Sequence, residues 1–311
     1  ALEALAENGI AFTILAPHQA ESVLAPGTSA WHSVAPDRID TSRPYLCELP
    51  SGRTMTIFFY VAVNLMMVMG LAPVSHTRSA VVGGASPGSG VGSSATISGC
   101  GFTINGDRNV IIRNLNFRNW GDDAINVEQS ATNIWIDHNS FTNGYDGAVD
   151  IKRGSDFVTV SWNRVFGHDK SMLLGHSDSN ASQDAGKLRV TYHHNWFDGS
   201  NQRHPRVRFG NPVHVYNNLY SNVGGYGVAS TIGAGVLVEG NYFENTRDPY
   251  HLGEGSSGPG ALVARNNHFV NSGSGQTGGS VAGIPYSYQL DTASSVKSIV
   301  TGGAGAGRIT V

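Results

Sequence analysis

The feature that most constrains this chain is a short repeat. Written as apolar, any, apolar, any, any, Asn, any, large apolar, it recurs as IWIDHNSF (134–141), VTVSWNRV (158–165), VTYHHNWF (190–197), VHVYNNLY (213–220), VLVEGNYF (236–243) and LVARNNHF (262–269). VIIRNLNF (110–117) and ATISGCGF (95–102) also fit, with Leu115 and Cys100 at the Asn position. Successive Asn residues at 139, 163, 195, 218, 241 and 267 lie about one coil apart, and the long 163-to-195 interval implies a loop inserted in that coil. Period-two strands joined by a fixed turn residue stack as parallel coils about 4.8 Å apart, each burying apolar side chains on its neighbours. The expected fold is therefore all-β, a right-handed single-stranded parallel β-helix from about residue 95 to 270. Its aligned Asn amides would satisfy buried turn backbone from coil to coil, which makes them structural and not site residues.

Composition agrees. Forty glycines and only 14% charged residues suit many short strands and tight turns and argue against a helical bundle. The net charge of −3 gives no general attraction to nucleic acid, so no nucleic-acid partner is expected and any polyanion site must be local. Cys47 and Cys100 permit one disulfide at most and offer no zinc-finger spacing.

Residues 1–80 differ in character from 81–311, which are expected to form the β-helix domain. ALEALAENGI is helix-like, FTILAP reads as a strand, and PSGRTMTIFFY as a turn into another, giving this atypical N-terminal segment a mixed α/β flavour. Within it, residues 56–74 are almost wholly apolar over the length of a membrane span. One reading is a signal-peptide core with a working start at Met55 and an upstream extension; the other is a buried segment covering the end of the solenoid. GGASPGSGVGSS then reads as a linker or a loose first turn.

Coil register also organises the charged residues. A 24-residue offset lays GDDAINVEQSATNIWIDHN (121–139) over YDGAVDIKRGSDFVTVSWN (145–163), with Asp122 above Asp146 and Asn126 above Asp150. Asp123 sits beside this stack, and HDKSMLLGH (168–176) places Lys170 in the column of Asp123 and Gly147. Carboxylates this close repel in a partly desolvated groove unless a cation holds them, and oxygen-only ligands point to Ca²⁺. The bland alternative is that these Asp residues cap turns. In NQRHPRVRFG (201–210), Arg203, Arg206 and Arg208 fall within six residues, with 206 and 208 on one strand face. Such guanidiniums need anionic partners, either substrate carboxylates or the neighbouring Asp ladder.

The motifs WIDHN (135–139), YDGAVDIKRGSDFVTVSWN, HDKSMLLGHSDS (168–179), VTYHHNWF and RHPRVRFG (203–210) resemble, in order, those of the pectate lyases of polysaccharide lyase family 1, over roughly residues 90–311. That resemblance implies a secreted, extracellular, Ca²⁺-dependent enzyme that cleaves α-1,4-polygalacturonate by β-elimination to 4,5-unsaturated products. It places metal ligands on Asp123, Asp146 and Asp150, with Asp122 a neighbour and Gly121 where some relatives carry a further acid. It places the catalytic base on Arg203, and the substrate carboxylate against Lys170 and Arg208, with Arg206 beside them. An arginine side chain is ordinarily protonated, so serving as a base requires cationic neighbours that favour its neutral form. A monomer without stable membrane association is expected. Residues 1–60 faintly resemble a segment of a family 57-type glycoside hydrolase.

Three other functions compete. GDDAI (121–125) resembles the paired aspartates of polygalacturonase-type hydrolases on the same fold, although Lys170, Arg203 and Arg208 then lack a role. A pectin lyase preferring methyl esters would not need the carboxylates. A non-catalytic carbohydrate-binding solenoid would leave the basic cluster unexplained. His138, His168, His176, His193, His194 and His204 show no zincin spacing and read mostly as structural.

Overall fold

A computed structural model describes residues 12–15, 22–24, 31–33, 45–49, 51–59, 80–83 and 95–309 of the 311-residue chain. The chain divides into two units, Ala1–Val74 with Gly88–Gly90, and Ser75–Pro87 with Val91–Val311. In the first, Thr54–Phe59 pairs in parallel with Phe12–Leu15 and antiparallel with Tyr45–Glu48, while Ser22–Leu24 and Trp31–Ser33 form a separate antiparallel pair. The strands expected at FTIL and after PSGR are thus present. The helix-like ALEALAENGI, most of the apolar stretch 56–74 and the Gly/Ser-rich 83–94 lie largely outside the described residues. Among those described, no helix is long and apolar enough to cross a membrane.

The second unit is a parallel β-helix. Each coil contributes one strand to each of three parallel sheets, as in Ile125–Glu128, Thr132–Asp137 and Ser140–Thr142, followed one coil on by Val149–Ile151, Asp156–Ser161 and Arg164–Phe166. The first of these sheets runs from Phe102–Asn105 to Tyr250–Leu252, the second from Ala80–Gly83 to Ala261–Arg265, and the third from Thr96–Ser98 to His268–Val270. The repeat in the sequence is the second strand, a corner and the third strand. Its inward apolar positions line up across coils: Ile112, Ile136, Val160, Tyr192, Val215 and Val238 form one column. Aromatic rings stack in another, with Phe117 on Phe141 at 5.0 Å and Tyr220 on Phe243 at 4.4 Å between centroids.

The corner depends on two adjacent residues. The first, His138, Trp162, His194, Asn217, Gly240 or Asn266, adopts a left-handed backbone with φ between 49° and 63°. The second is the repeat Asn, whose amide oxygen accepts hydrogen bonds from the backbone N–H and side-chain amide of its counterpart in the preceding coil. Its own amide nitrogen donates both to the next Asn and to a strand carbonyl of the preceding coil, as Asn195 does to Asn218 Oδ1 and Val160 O. Buried backbone groups at a bend are costly when unpaired, and this ladder pairs them. A second, exposed ladder of left-handed Asn residues, Asn119–Asn143 and Asn222–Asn245–Asn271, marks another corner that the repeat pattern does not reveal.

The extra residues between Asn163 and Asn195 form the expected insertion, containing the short helix Ala181–Asp184. After the last coil the chain returns along the outside. Tyr286 and Tyr288 bond to His214 and Glu239, and Asp291 bonds to His194 and Asn217. Helix Val296–Gly303 buries Val296 and Val300 against Leu219, Tyr242, Trp162 and Trp196. Beyond it, Gly305 N donates to Trp162 O, Ala306 N to Ser140 Oγ and Gly307 N to Asn114 Oδ1.

Replacing Asn195 by Ala would leave Asn163 N–H and one N–H of the Asn163 amide without their acceptor in the interior and take a side-chain donor from Val160 O, while Asn218 Oδ1 keeps the backbone N–H of residue 195. At about 1–3 kcal/mol for each unmet buried group after partial relaxation, the variant should lose about 3–5 kcal/mol of stability. Urea unfolding of both proteins measures this, and a loss below about 1 kcal/mol would contradict a ladder that holds the corners.

Candidate active site

The charged residues singled out in the sequence gather along the first sheet, on the turns that enter it and on its outward side chains. Asp122 and Asp123 precede strand Ile125–Glu128, Asp146 precedes Val149–Ile151, Lys170 precedes Met172–Leu174, and Arg203 precedes Arg206–Val207. Backbone pairing holds these turns in register: Asp146 N donates to Asp122 O at 3.0 Å and Met172 N to Arg203 O at 2.6 Å, while Lys170 bridges Gln202. Within the sheet, Asn126, Asp150, Leu173 and Arg206 occupy one column. Acids therefore occupy the first coils and cations the next.

One carboxylate oxygen each from Asp122, Asp123 and Asp146 lies within 4.8 Å of the others. Asp150 falls outside this trio but adjoins Asp123 across Gly147. A Cβ on Gly147 would lie 2.0 Å from Asp150 Oδ1 and 3.1 Å from Asp123 Oδ1, so only glycine lets these carboxylates approach. Gly147 N donates to Asp123 Oδ1 at 3.0 Å, and Leu173 N to Asp150 Oδ1 at 3.3 Å. Burial, with Asp122 and Asp146 adding like charge, pushes the Asp123 carboxyl up to about 6 despite Lys152. Asp150 is raised well above the ordinary carboxylate range by burial and then by Asp123, with Arg203 and Lys152 pulling the other way. Beside Asp150 in its column, Asn126 Oδ1 is buried and has no hydrogen-bond partner among the described residues.

Under-compensated carboxylates beside an orphaned amide oxygen form a hard, oxygen-only donor set. Ca²⁺, which takes 6–8 oxygens at about 2.3–2.6 Å in irregular geometry, fits it; zinc, which favours imidazole or thiolate, does not.

Cations close the other side. Lys170 Nζ and Arg203 Nη1 both lie 3.3 Å from Asp146 Oδ1, and Lys152 Nζ lies 3.5 Å from Asp123 Oδ2. Arg203 has a left-handed backbone (φ 62°), and its buried Nε has no partner among the described residues. The other two arginines are held differently. Arg206 Nη2 donates to Glu254 O and Ser257 Oγ, each at 3.0 Å, and burial followed by repulsion from Arg208 draws its guanidinium below the usual range. Arg208 donates from Nε to Asp178 Oδ1 at 2.6 Å, from Nη1 to Gly175 O and from Nη2 to Ser257 Oγ, leaving one further N–H on each terminal nitrogen. Asp178 follows Met172–Leu174, in the insertion that lengthens this coil.

The structure thus brings Asp123, Asp146, Asp150, Lys170 and Arg203 together, with Asp122 in the acidic trio and Arg206 and Arg208 farther along the sheet. Sequence reasoning passed over Lys152, although its place two residues after Asp150 in DIKRG was the signal for a cation on the same strand face. It also passed over Trp120, and named His168 only among the structural histidines. Trp120 Nε1 and His168 Nε2 both bond to Asp146 O, at 3.2 and 2.7 Å, and fix the turn that carries this carboxylate. The remaining histidines are mostly structural: His204 bonds to Ser200 Oγ and Tyr226 O, and His214 to Glu239 and Tyr286.

Comparison with known proteins gives a consistent picture. A family profile described as pectate lyase matches residues 75–309. The chain is 41% identical over 232 residues to a pectate trisaccharide-lyase of Bacillus licheniformis, covering 71% of this chain and 66% of that protein. It is 41% identical over 244 residues to pectate lyase A of Emericella nidulans, covering 75% and 72% respectively. A crystal structure of a pectate lyase from Bacillus sp. N165 in complex with trigalacturonate matches with a TM-score of 0.67 at 32% identity, covering 76% of this chain and 78% of that one.

The Gly147→Ala variant should weaken Ca²⁺ binding at least about tenfold, or about 1.4 kcal/mol, because the added methyl displaces Asp150 or Asp123. Calorimetric titration with Ca²⁺ reads this directly; unchanged affinity would separate these two carboxylates from cation binding.

Proposed function

The chain belongs to the pectate lyase family, and from that premise we propose that it is a Ca²⁺-dependent pectate lyase, acting outside the cell as a monomer on α-1,4-linked polygalacturonate. The observation that carries the proposal is the convergence of Lys170 and Arg203 on Asp146, next to under-compensated carboxylates, on one sheet of a parallel β-helix. A polyuronate presents a regular row of carboxylates, and a metal-holding acidic cluster followed along the sheet by cations complements it. A hydrolase needs only a pair of carboxylates as acid and base, so the cations would be idle.

On this reading Asp123, Asp146 and Asp150, with Asp122 at the rim, would hold Ca²⁺, which would supply positive charge to offset the uronate carboxylate. Lys170 and the remaining N–H groups of Arg208 grip that carboxylate and orient the sugar, with Arg206 beside Arg208 through their shared contact with Ser257 Oγ. Charge developing on the carboxylate as C5 loses its proton is then stabilised by groups already in place. Arg203 takes the C5 proton. The electron pair of the C5–H bond becomes the C4–C5 double bond, the C4–O4 bond breaks, and solvent protonates the departing oxygen. The product is a 4,5-unsaturated uronide, and no water is added across the bond.

Polygalacturonate should therefore yield an absorbance rise at about 235 nm that excess chelator abolishes, and Arg203→Ala should reduce kcat by about 10²–10⁴-fold with unfolding unchanged. New reducing ends without that absorbance would replace the lyase with a hydrolase, and neither signal would leave a binding solenoid.

A further inference from the structure

We propose that the ring of Tyr145 is a stacking platform for one uronate ring of the bound polysaccharide, a sugar-binding position beside the acidic cluster. The inference rests on the pectate lyase reading above. Tyr145 is 74% exposed, more than any other large apolar side chain among the described residues, yet its backbone is tightly held. On one side, Gly144 lies flat against Trp120, where a Cβ would sit 1.8 Å from Cε2 of the indole. Tyr145 N itself donates to Trp120 O at 3.0 Å. On the other side, Asp146 O receives both Trp120 Nε1 and His168 Nε2. Only the side-chain torsions of Tyr145 are left free, so ordering its ring against a ligand costs little conformational entropy.

The surroundings specify the ligand. Lys170 Nζ lies 5.9 Å from the ring centroid, near the outer limit of a cation–π contact, and joins Arg203 at Asp146 Oδ1. An apolar, slightly electron-rich face is thus set beside two cations. A neutral hexose would use the ring and leave the cations idle, and a small carboxylate would do the reverse. A hexuronate offers both a C–H face for the ring and a carboxylate at its edge for Lys170. The same turn that carries Asp146 then carries the platform, so sugar stacking and the acidic cluster share one rigid support.

Calorimetric titration with a galacturonate octamer at saturating Ca²⁺, in an Arg203→Ala background that slows turnover, tests this alongside KM and kcat on polygalacturonate with Arg203 intact. Tyr145→Ala and Tyr145→Leu should each weaken octamer binding and raise KM by about three- to tenfold with kcat nearly unchanged, whereas Tyr145→Phe stays within about twofold. Unaltered binding and KM in Tyr145→Ala, or Leu serving as well as Phe, would overturn the platform while leaving the lyase reading intact. Binding that depends on Tyr145 in a protein that forms no unsaturated product would support the platform and remove the lyase reading. Should the background variant not bind the octamer, the KM comparison alone decides.

Discussion

Everything in the β-helix depends on how each coil turns its asparagine corner. One residue enters the left-handed region, and the next gives its amide to backbone groups that the bend would otherwise leave unpaired in an apolar interior. Because each Asn bonds to its counterpart one coil away, the corner fixes both the bend and the coil-to-coil register. A slip of one residue would carry the whole apolar face outward. The ladder thus sets where every outward side chain stands relative to those above and below, including the charged ones.

The groove uses that register to do something a single loop could not. Asp122, Asp123, Asp146 and Asp150 come from two successive coils, whose spacing is set by hydrogen-bonded backbone and does not relax to relieve like-charge repulsion. Gly147 removes the one side chain that would keep two of them apart. Lys152 in the second of these coils, and Lys170 and Arg203 in the next two, offset part of the charge, so the site holds acid and cation side by side. Strain of this kind is held by the scaffold, and the pairing of a repetitive wall with an irregular one is what allows it.

That division also explains what could be read in advance. The repeat lies in the second and third strands of each coil, where inward residues and the corner Asn face the same environment every turn, so IWIDHNSF and VTYHHNWF announce the fold directly. Asp146, Asp150, Lys170 and Arg203 were legible because their register follows from that repeat and their motifs resemble a known family. What stayed hidden has no periodic signature. Trp120 and His168 meet at a backbone carbonyl 26 and 22 residues away in sequence. Arg208 is anchored by Asp178 from the insertion, and the second Asn ladder is interrupted by Gly167 and Gly199, which reach the same left-handed conformation without an amide to show for it. Of the first unit, Phe12–Leu15 and Thr54–Phe59 are visible in the sequence and Ser22–Leu24, Trp31–Ser33 and Tyr45–Glu48 are not, and no repeat ties any of them to a site.

The returning C-terminal segment changes what kind of object the solenoid is. A stack of coils is nearly one-dimensional: each touches only its neighbours, and either end can peel away without disturbing the middle. Here the last stretch of chain runs back over the stack, from Glu239 and His214 past Trp162 to Asn114, a partner 193 residues earlier. It behaves as a buckle on a coiled belt, so opening the terminal coil must also release contacts on the early ones. Fraying at one end is thereby felt at the other, and a fold whose local interactions would permit piecemeal unravelling is made to open as a whole.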